Sequence, residues 1–269
     1  MSASHPIDGV NVQVPNVARI YDYLLGGKDN YAADRDAAEK LLAVAPETAG
    51  TVRENRAFLR RAVRRLAAAG VRQFVDIGAG LPTQANVHEV AREITPDARV
   101  VYVDNDPVVV AHGRALLMGS PQVTVLEGDL RQPAEIFGEP ALRAVIDLDE
   151  PVAVLLLAVL HFVTDDEDPA AIVRRIRDLL APGSALILSH VTSEGNRAEA
   201  ASTAKNVYDR STASIALRPR TEILSFFEGF ELEEPGLVYA PEWHADGEAA
   251  FVRSPEASFL FAGVGRLRQ

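Results

Sequence analysis

The sequence has no cysteine and, in 269 residues, only three lysines, one tryptophan and two methionines. Without cysteine there is no disulfide framework, thiol nucleophile, thiolate zinc site or iron–sulfur cluster, and any metal site would have to be built from histidine and carboxylates. With lysine confined to Lys28, Lys40 and Lys205, arginine is the main cation. The 27 basic residues face 38 acidic ones, for a formal charge of −11 and a pI of about 5.1. A balance this acidic argues against a general binder of nucleic acid or of anionic membranes. Long apolar runs are also missing. The strongest, Val152 to Leu160, falls well short of the roughly 20 residues that cross a bilayer. The start, Met1-Ser2-Ala3-Ser4-His5-Pro6, has no basic segment followed by an apolar one, so no secretory signal is read there and a cytoplasmic protein is expected. At 48% hydrophobic and 24% charged residues, the composition is that of a folded chain.

Three zones follow one another. From about Asn16 to Ala69 the pattern is helical: Phe58, Leu59, Ala62, Val63 and Leu66 recur at helix spacing, and Gly70 ends the run. Arg56, Arg60, Arg61, Arg64 and Arg65 lie between them and are expected on a solvated face. From Val71 to about Val191 strands and helices alternate, as in a parallel sheet covered on both faces. Five strands are expected, around Gln73–Asp76, Arg99–Asp104, Val123–Glu127, Val152–Val159 and Ala185–Leu188. Asp168-Pro169 should cap and open the helix after the fourth. Beyond Ser193 a polar helical stretch leads to two late strands, Leu237–Tyr239 and Ser258–Val264, expected to form a hairpin.

The chemistry is concentrated where these strands end. Phe74-Val75-Asp76-Ile77-Gly78-Ala79-Gly80 is a strand running into a Gly-x-Gly turn, which lets backbone approach a ligand closely or simply makes a tight strand-to-helix turn. The second strand ends in Asp104-Asn105-Asp106, with Asp104 at the distance from the glycines that suits an acid bonded to ribose hydroxyls and Asp106 better placed to cap the next helix. After the third strand, Gly128-Asp129-Leu130 offers a carboxylate to an adenine amine and a leucine to the ring, or forms a plain Gly-Asp turn. All three segments fall at carboxyl ends of parallel strands, where open α/β sheets bind ligands.

Together with Ala158-Val159-Leu160-His161-Phe162 and Leu180-Ala181-Pro182-Gly183, these segments resemble class I S-adenosylmethionine-dependent methyltransferases over about Val71 to Val191. More narrowly, Arg19 to Tyr31 and Val159 to Phe162 resemble an actinobacterial group of S-adenosyl methyltransferases without a known substrate. The resemblance implies a Rossmann-like, doubly wound, mostly parallel α/β sheet of seven strands with an antiparallel C-terminal hairpin. It implies an N-terminal helical cover over residues 1–70 and a methyltransferase domain over 71–269, of which 194–269 hold the last helices and the hairpin. S-adenosyl-L-methionine would be contacted by Asp76, Gly78, Ala79, Gly80, Asp104, Asn105, Gly128, Asp129, Leu130, Ala158 and Val159. Leu81-Pro82-Thr83 stand where the family often has a third small residue, so the following helix is expected to start late, near Gln84.

On the acceptor side the candidates are His161, which either contacts the acceptor or holds its own loop, and Tyr23, Lys28 and Tyr31. The last three flank the Gly26-Gly27 break, in a segment that is either a lid or a C-capped helix. The acidic charge points to a small-molecule acceptor rather than nucleic acid. Two rivals share the cofactor residues: a nicotinamide-dependent oxidoreductase, disfavoured by Asp76 and Gly128-Asp129, and a non-catalytic S-adenosylmethionine-binding regulator. Asp165-Asp166-Glu167-Asp168 is read as capping and loop rather than a cation site, and Asn86-Val87-His88-Glu89 lacks a second histidine at metal spacing.

Overall fold

The computed structural model describes residues 11–82, 86–117, 120–195, 198–246, 251 and 254–268. Three helices, α1 (Val17–Leu24), α2 (Ala32–Val44) and α3 (Thr48–Ala68), precede the sheet. Its strands are β1 (Gln73–Ile77), β2 (Arg99–Asp104), β3 (Val123–Glu127), β4 (Ala153–Leu157), β5 (Ala185–Val191), β6 (Phe230–Leu232), β7 (Val238–Tyr239) and β8 (Leu260–Leu267). Between them run α4 (Val87–Arg92), α5 (Pro107–Leu117), α6 (Pro133–Gly138), α7 (Pro140–Arg143), α8 (Pro169–Arg177), α9 (Ala198–Tyr208) and α10 (Arg220–Ser225). Asp168 caps α8 as expected, its side chain accepting from Ala171 N–H at 2.9 Å. The expected start near Gln84 lies outside the described residues; the described helix begins at Val87 with Asn86 as its cap.

The strand order is β3-β2-β1-β4-β5-β8-β6, with β7 also on β8. The first five strands are parallel, and β8 runs antiparallel to β5 from Ala185↔Arg266 to Val191↔Leu260. The sheet therefore has eight strands among the described residues, against the seven expected. The far edge of β8 is shared: β6 pairs with Gly265–Leu267 and β7 with Phe261 and Ala262. The partner expected over Leu237–Tyr239 is β7; β6, on the other side of a turn closed by Gly236 N–H on the Glu233 carbonyl (2.8 Å), is the strand the sequence pattern does not announce.

Alternate side chains of the parallel strands feed two cores. Phe74, Val100 and Leu155 pack with Phe58, Leu66 and Trp243 on one face; Val75, Val101 and Val154 pack with Ile136, Ile172 and Phe226 on the other. Thus α3 belongs to the main core of the sheet. A separate small cluster, Ile20, Leu24, Ala38, Leu41, Val52 and Val207, joins α1 and α2 to α9. These three helices form the layer above the carboxyl ends of the strands. Buried Asp34 holds the layer together, accepting from Asn16 N–H, Arg19 Nε and Tyr31 N–H at 2.8 Å each.

The arginines of α3 do not all face solvent. Arg61 is buried, pairs with Glu54 at 2.8 Å and donates to the Trp243 and Ala240 carbonyls. Arg64 and Arg65 make the surface pairs the pattern suggests, with Glu93 and Glu233. A buried guanidinium needs its charge matched, and the carboxylate seven residues earlier on the same helix face supplies the match.

Candidate active site

The chain turns in opposite directions from β1 and β4, and the crevice between their carboxyl ends opens into a cavity of about 680 Å³. Gly78 and Gly80 have φ of +74° and +67°, a region where a side chain is strained, and a Cβ on Gly78 would sit 2.3 Å from Val159 Cγ2. The Gly78 and Ala79 N–H groups both bond the Val103 carbonyl, which ties the turn to β2. Val159 and the glycine turn therefore face each other across the switch point.

Asp104 is 8% exposed. Its two oxygens accept from Gly80 N–H and Asp106 N–H at 2.9 Å each, while Asp106 caps α5 through Val108 N–H at 2.7 Å. Asp76, 4% exposed, lies beside it. Burial, together with the Asp104 charge, pushes Asp76 up to about 7 against the pull of the Arg56 guanidinium. Burial likewise lifts Asp104 to about 6, partly offset by the backbone donors. Two carboxylates held this way suit a ligand that brings cationic and hydroxyl donors. Gly128, Asp129 and Leu130 complete this side, with Asp129 half-exposed and bonded to Arg131. Asn105 lines the cavity too. Arg131 also pairs with Glu167 and donates to the Phe162 carbonyl at 3.1 Å, joining the β3 end to the loop after β4.

That loop begins at Ala158, whose φ of +51° puts it in the left-handed region, held by Ser189 through both its carbonyl and its hydroxyl. His161 lines the cavity at 4% exposure, with its Nδ1 buried and without a partner. Burial, with His190 and Arg218 nearby, drives its pKa well below the usual histidine value, so the ring is neutral. Behind it, Arg218 (2% exposed) binds Asp165 Oδ1 at 2.6 Å, the Val163 carbonyl at 2.8 Å, the Leu160 carbonyl at 3.3 Å and His190 Nε2 at 3.0 Å. Asp165, read from sequence as loop, is thus the counter-ion of a buried clamp.

The other acceptor-side candidates lie elsewhere. Tyr23 hydroxyl donates to Glu39, Lys28 is exposed, and Tyr31 lies under the Arg19 guanidinium; none of the three lines the cavity. The Gly26-Gly27 break is a closed turn: Asp22 accepts from Gly27 N–H through its carbonyl and from Asp29 N–H and Asn30 Nδ2 through its carboxylate. From the first helix the cavity is lined by Val17, Ala18, Arg19, Tyr21 and Leu24, and it is faced also by Asn55 and Arg56 of α3 and Tyr208 of α9. Sequence reading placed Tyr21 only within its segment and missed Asn55 and Tyr208, whose proximity no local pattern announces. Among the described residues there is no cluster of three or more potential metal ligands.

A doubly wound sheet with a glycine turn at the switch point and acids on the next two strand ends defines a nucleoside-binding α/β enzyme fold. The family model for S-adenosyl methyltransferases matches residues 3–268, and the chain belongs to that family. It is similar to a suspected methyltransferase of Thermobifida fusca, at 40% identity over 99% of this chain and 100% of that one, with a TM-score of 0.92. A DUF574 family protein of Streptomyces avermitilis is 40% identical over 95% of this chain and 98% of that one, with a TM-score of 0.91. An O-methyltransferase family protein of Burkholderia thailandensis, 15% identical with a TM-score of 0.52 over 88% of this chain and 60% of that one, shares the fold. No curated protein matches the chain. The protein is an S-adenosylmethionine-dependent methyltransferase. Among its described residues no helix is long and apolar enough to cross a membrane.

Proposed function

We propose that the cavity holds S-adenosylmethionine and a small-molecule acceptor side by side, and that methyl transfer occurs beneath the layer of α1, α2 and α9. The observation that carries this is the pairing, within one cavity, of two buried carboxylates with a neutral histidine and apolar helix faces. When bound, the cofactor supplies a methyl group on a positively charged sulfur. Asp104 takes the ribose hydroxyls on the lone pairs that Gly80 and Asp106 leave free. Asp76 takes the ammonium group of the methionyl part, Gly78, Ala79 and Gly80 line that part, and Asn105, Gly128, Asp129 and Leu130 hold the adenine end. Ala158 and Val159 border the reacting centre.

Transfer to an activated methyl needs alignment and exclusion of water more than proton chemistry. Ala158, Val159 and the helix layer would hold the acceptor's nucleophile against the methyl group that the cofactor supplies and keep water out. The proton shed by the nucleophile goes to the neutral His161 ring. Calorimetry with S-adenosylhomocysteine and NADH tests the reading: micromolar binding of the first, weakening as the pH falls from 8 to 5 while Asp76 and Asp104 become protonated, and no binding of the second. Tighter binding of NADH would overturn it.

A further inference from the structure

The acceptor side carries a hydrogen-bond chain whose direction can be assigned atom by atom. Ala158 N–H donates to Ser189 Oγ at 2.9 Å, and the Ser189 hydroxyl donates to Asn55 Oδ1 at 2.6 Å. Asn55 Nδ2 donates to Tyr21 Oη at 2.9 Å, and the Tyr21 hydroxyl donates to the Val52 carbonyl at 3.1 Å. Each hydroxyl has one proton, and here each proton is committed. Tyr21 oxygen therefore faces the cavity as an acceptor, with one lone pair taken by Asn55 and one remaining.

The charges of Arg56 and Asp76 reach Tyr21, while the α2 and α9 wall beside it is uncharged. From α2 and its C-cap come Leu41, Val44 and Ala45, and from α9 Ala201, Ala204 and Tyr208. The charged groups of the cavity are themselves matched: Arg19 is engaged by Asp34 and Asp106, Arg131 by Asp129 and Glu167, and Arg56 stands in the field of Asp76. The α2 and α9 wall thus offers a protonated amine no carboxylate and a carboxylate or phosphate no cation, and a charge brought there would lose its hydration without replacement. An apolar surface with one placed polar atom is how small-molecule pockets fix orientation.

We propose that the acceptor is an uncharged, largely apolar molecule bearing an O–H or N–H group, and that Tyr21 Oη receives the hydrogen bond from that group. The inference rests on the proposed small-molecule reading and narrows it. This hydrogen bond orients the acceptor in the bound complex, its proton then passing to His161 as the methyl bond forms, and Asn55 fixes the phenol so that it cannot turn its own proton toward the ligand.

The test uses the full chain saturated with S-adenosylhomocysteine and three probes of similar shape: 1-naphthol, 1-methoxynaphthalene and 1-naphthoate, titrated by calorimetry at pH 7.5. The expected order is 1-naphthol first, 1-methoxynaphthalene about fivefold weaker, the size of one neutral hydrogen bond, and 1-naphthoate undetected. Tyr21→Phe should bring 1-naphthol down to the level of 1-methoxynaphthalene while S-adenosylhomocysteine affinity holds. Absence of 1-naphthol binding, 1-naphthoate binding as tightly as 1-naphthol, or an unchanged 1-naphthol affinity in Tyr21→Phe would overturn the proposal. Loss of S-adenosylhomocysteine binding by the wild-type protein would instead sink the cofactor site on which it rests.

Discussion

Asp76→Asn should stabilise the ligand-free protein at pH 8 and weaken cofactor binding, two effects of opposite sign from one atom change. The carboxylate is buried with a pKa raised from 3.8 to about 7, chiefly by loss of hydration and then by Asp104. The sign follows from linkage. Between the unfolded and folded values the native state binds the extra proton, so stability is present at low pH and is lost as pH rises through the folded pKa. From pH 5 to pH 8 only the two units up to the folded value count, which at about 1.4 kcal/mol each gives about 3 kcal/mol lost by the wild type. The variant does not lose it. The variant therefore gains about 3 kcal/mol on the wild type between pH 5 and pH 8, or roughly 6–12 °C in Tm for a chain of this size. The assay is thermal unfolding of both proteins at pH 5 and pH 8, with S-adenosylhomocysteine titrations at pH 8. A difference in Tm between variant and wild type that is the same at both pH values would refute the reasoning, and so would a variant that gains stability yet binds S-adenosylhomocysteine as tightly as before.

Two further substitutions separate the site from its scaffold. Gly78→Ala puts a methyl 2.3 Å from Val159 Cγ2 at a φ of +74°, so the turn must shift; S-adenosylhomocysteine affinity should fall by about tenfold or more, with a stability loss of about 1–3 kcal/mol from the strained backbone. Unchanged affinity by calorimetry would place the turn outside the cofactor site. Arg61→Ala leaves Glu54 buried without its partner and opens two carbonyl bonds, so denaturant unfolding should show about 3–5 kcal/mol lost. Cofactor affinity of the folded fraction should hold, and its loss in step with stability would mean that Arg61 supports the site directly.

The half of the site that could be read from sequence is the half made by strand ends. Parallel strands buried on both faces read as apolar runs, and the residues that break them, Asp76, Asp104 and Gly128-Asp129, sit in the sequence at the places where the sheet turns them to the cavity. The short edge strands carry less signal: β6 and β7 have three and two residues, too few for an alternation to show. In the arginine-rich helix the charge pattern misled because it was read without its acids; Glu54 lies two helical turns before Arg61 on the same face, and that pairing separates Arg61 from its exposed neighbours.

The acceptor side was misread for a different reason. Tyr21 and Leu24, three residues apart, share the face of α1 that meets the cavity, and Tyr23, about 200° round the helix from Tyr21, has to point elsewhere. That geometry alone favours Tyr21 over Tyr23 once the direction of the cavity is known, but the direction is set by α2 and α9, of which α9 begins more than 170 residues later. The bond between Ser189 and Asn55 spans 134 residues and that between Asn55 and Tyr21 spans 34. A serine inside a strand, an asparagine inside a helix and a tyrosine on another helix are each unremarked in their own segments. They acquire a chemical meaning only when the fold stacks them, because a hydroxyl's role depends on where its single proton is spent, and here that is decided by three partners from three separate elements.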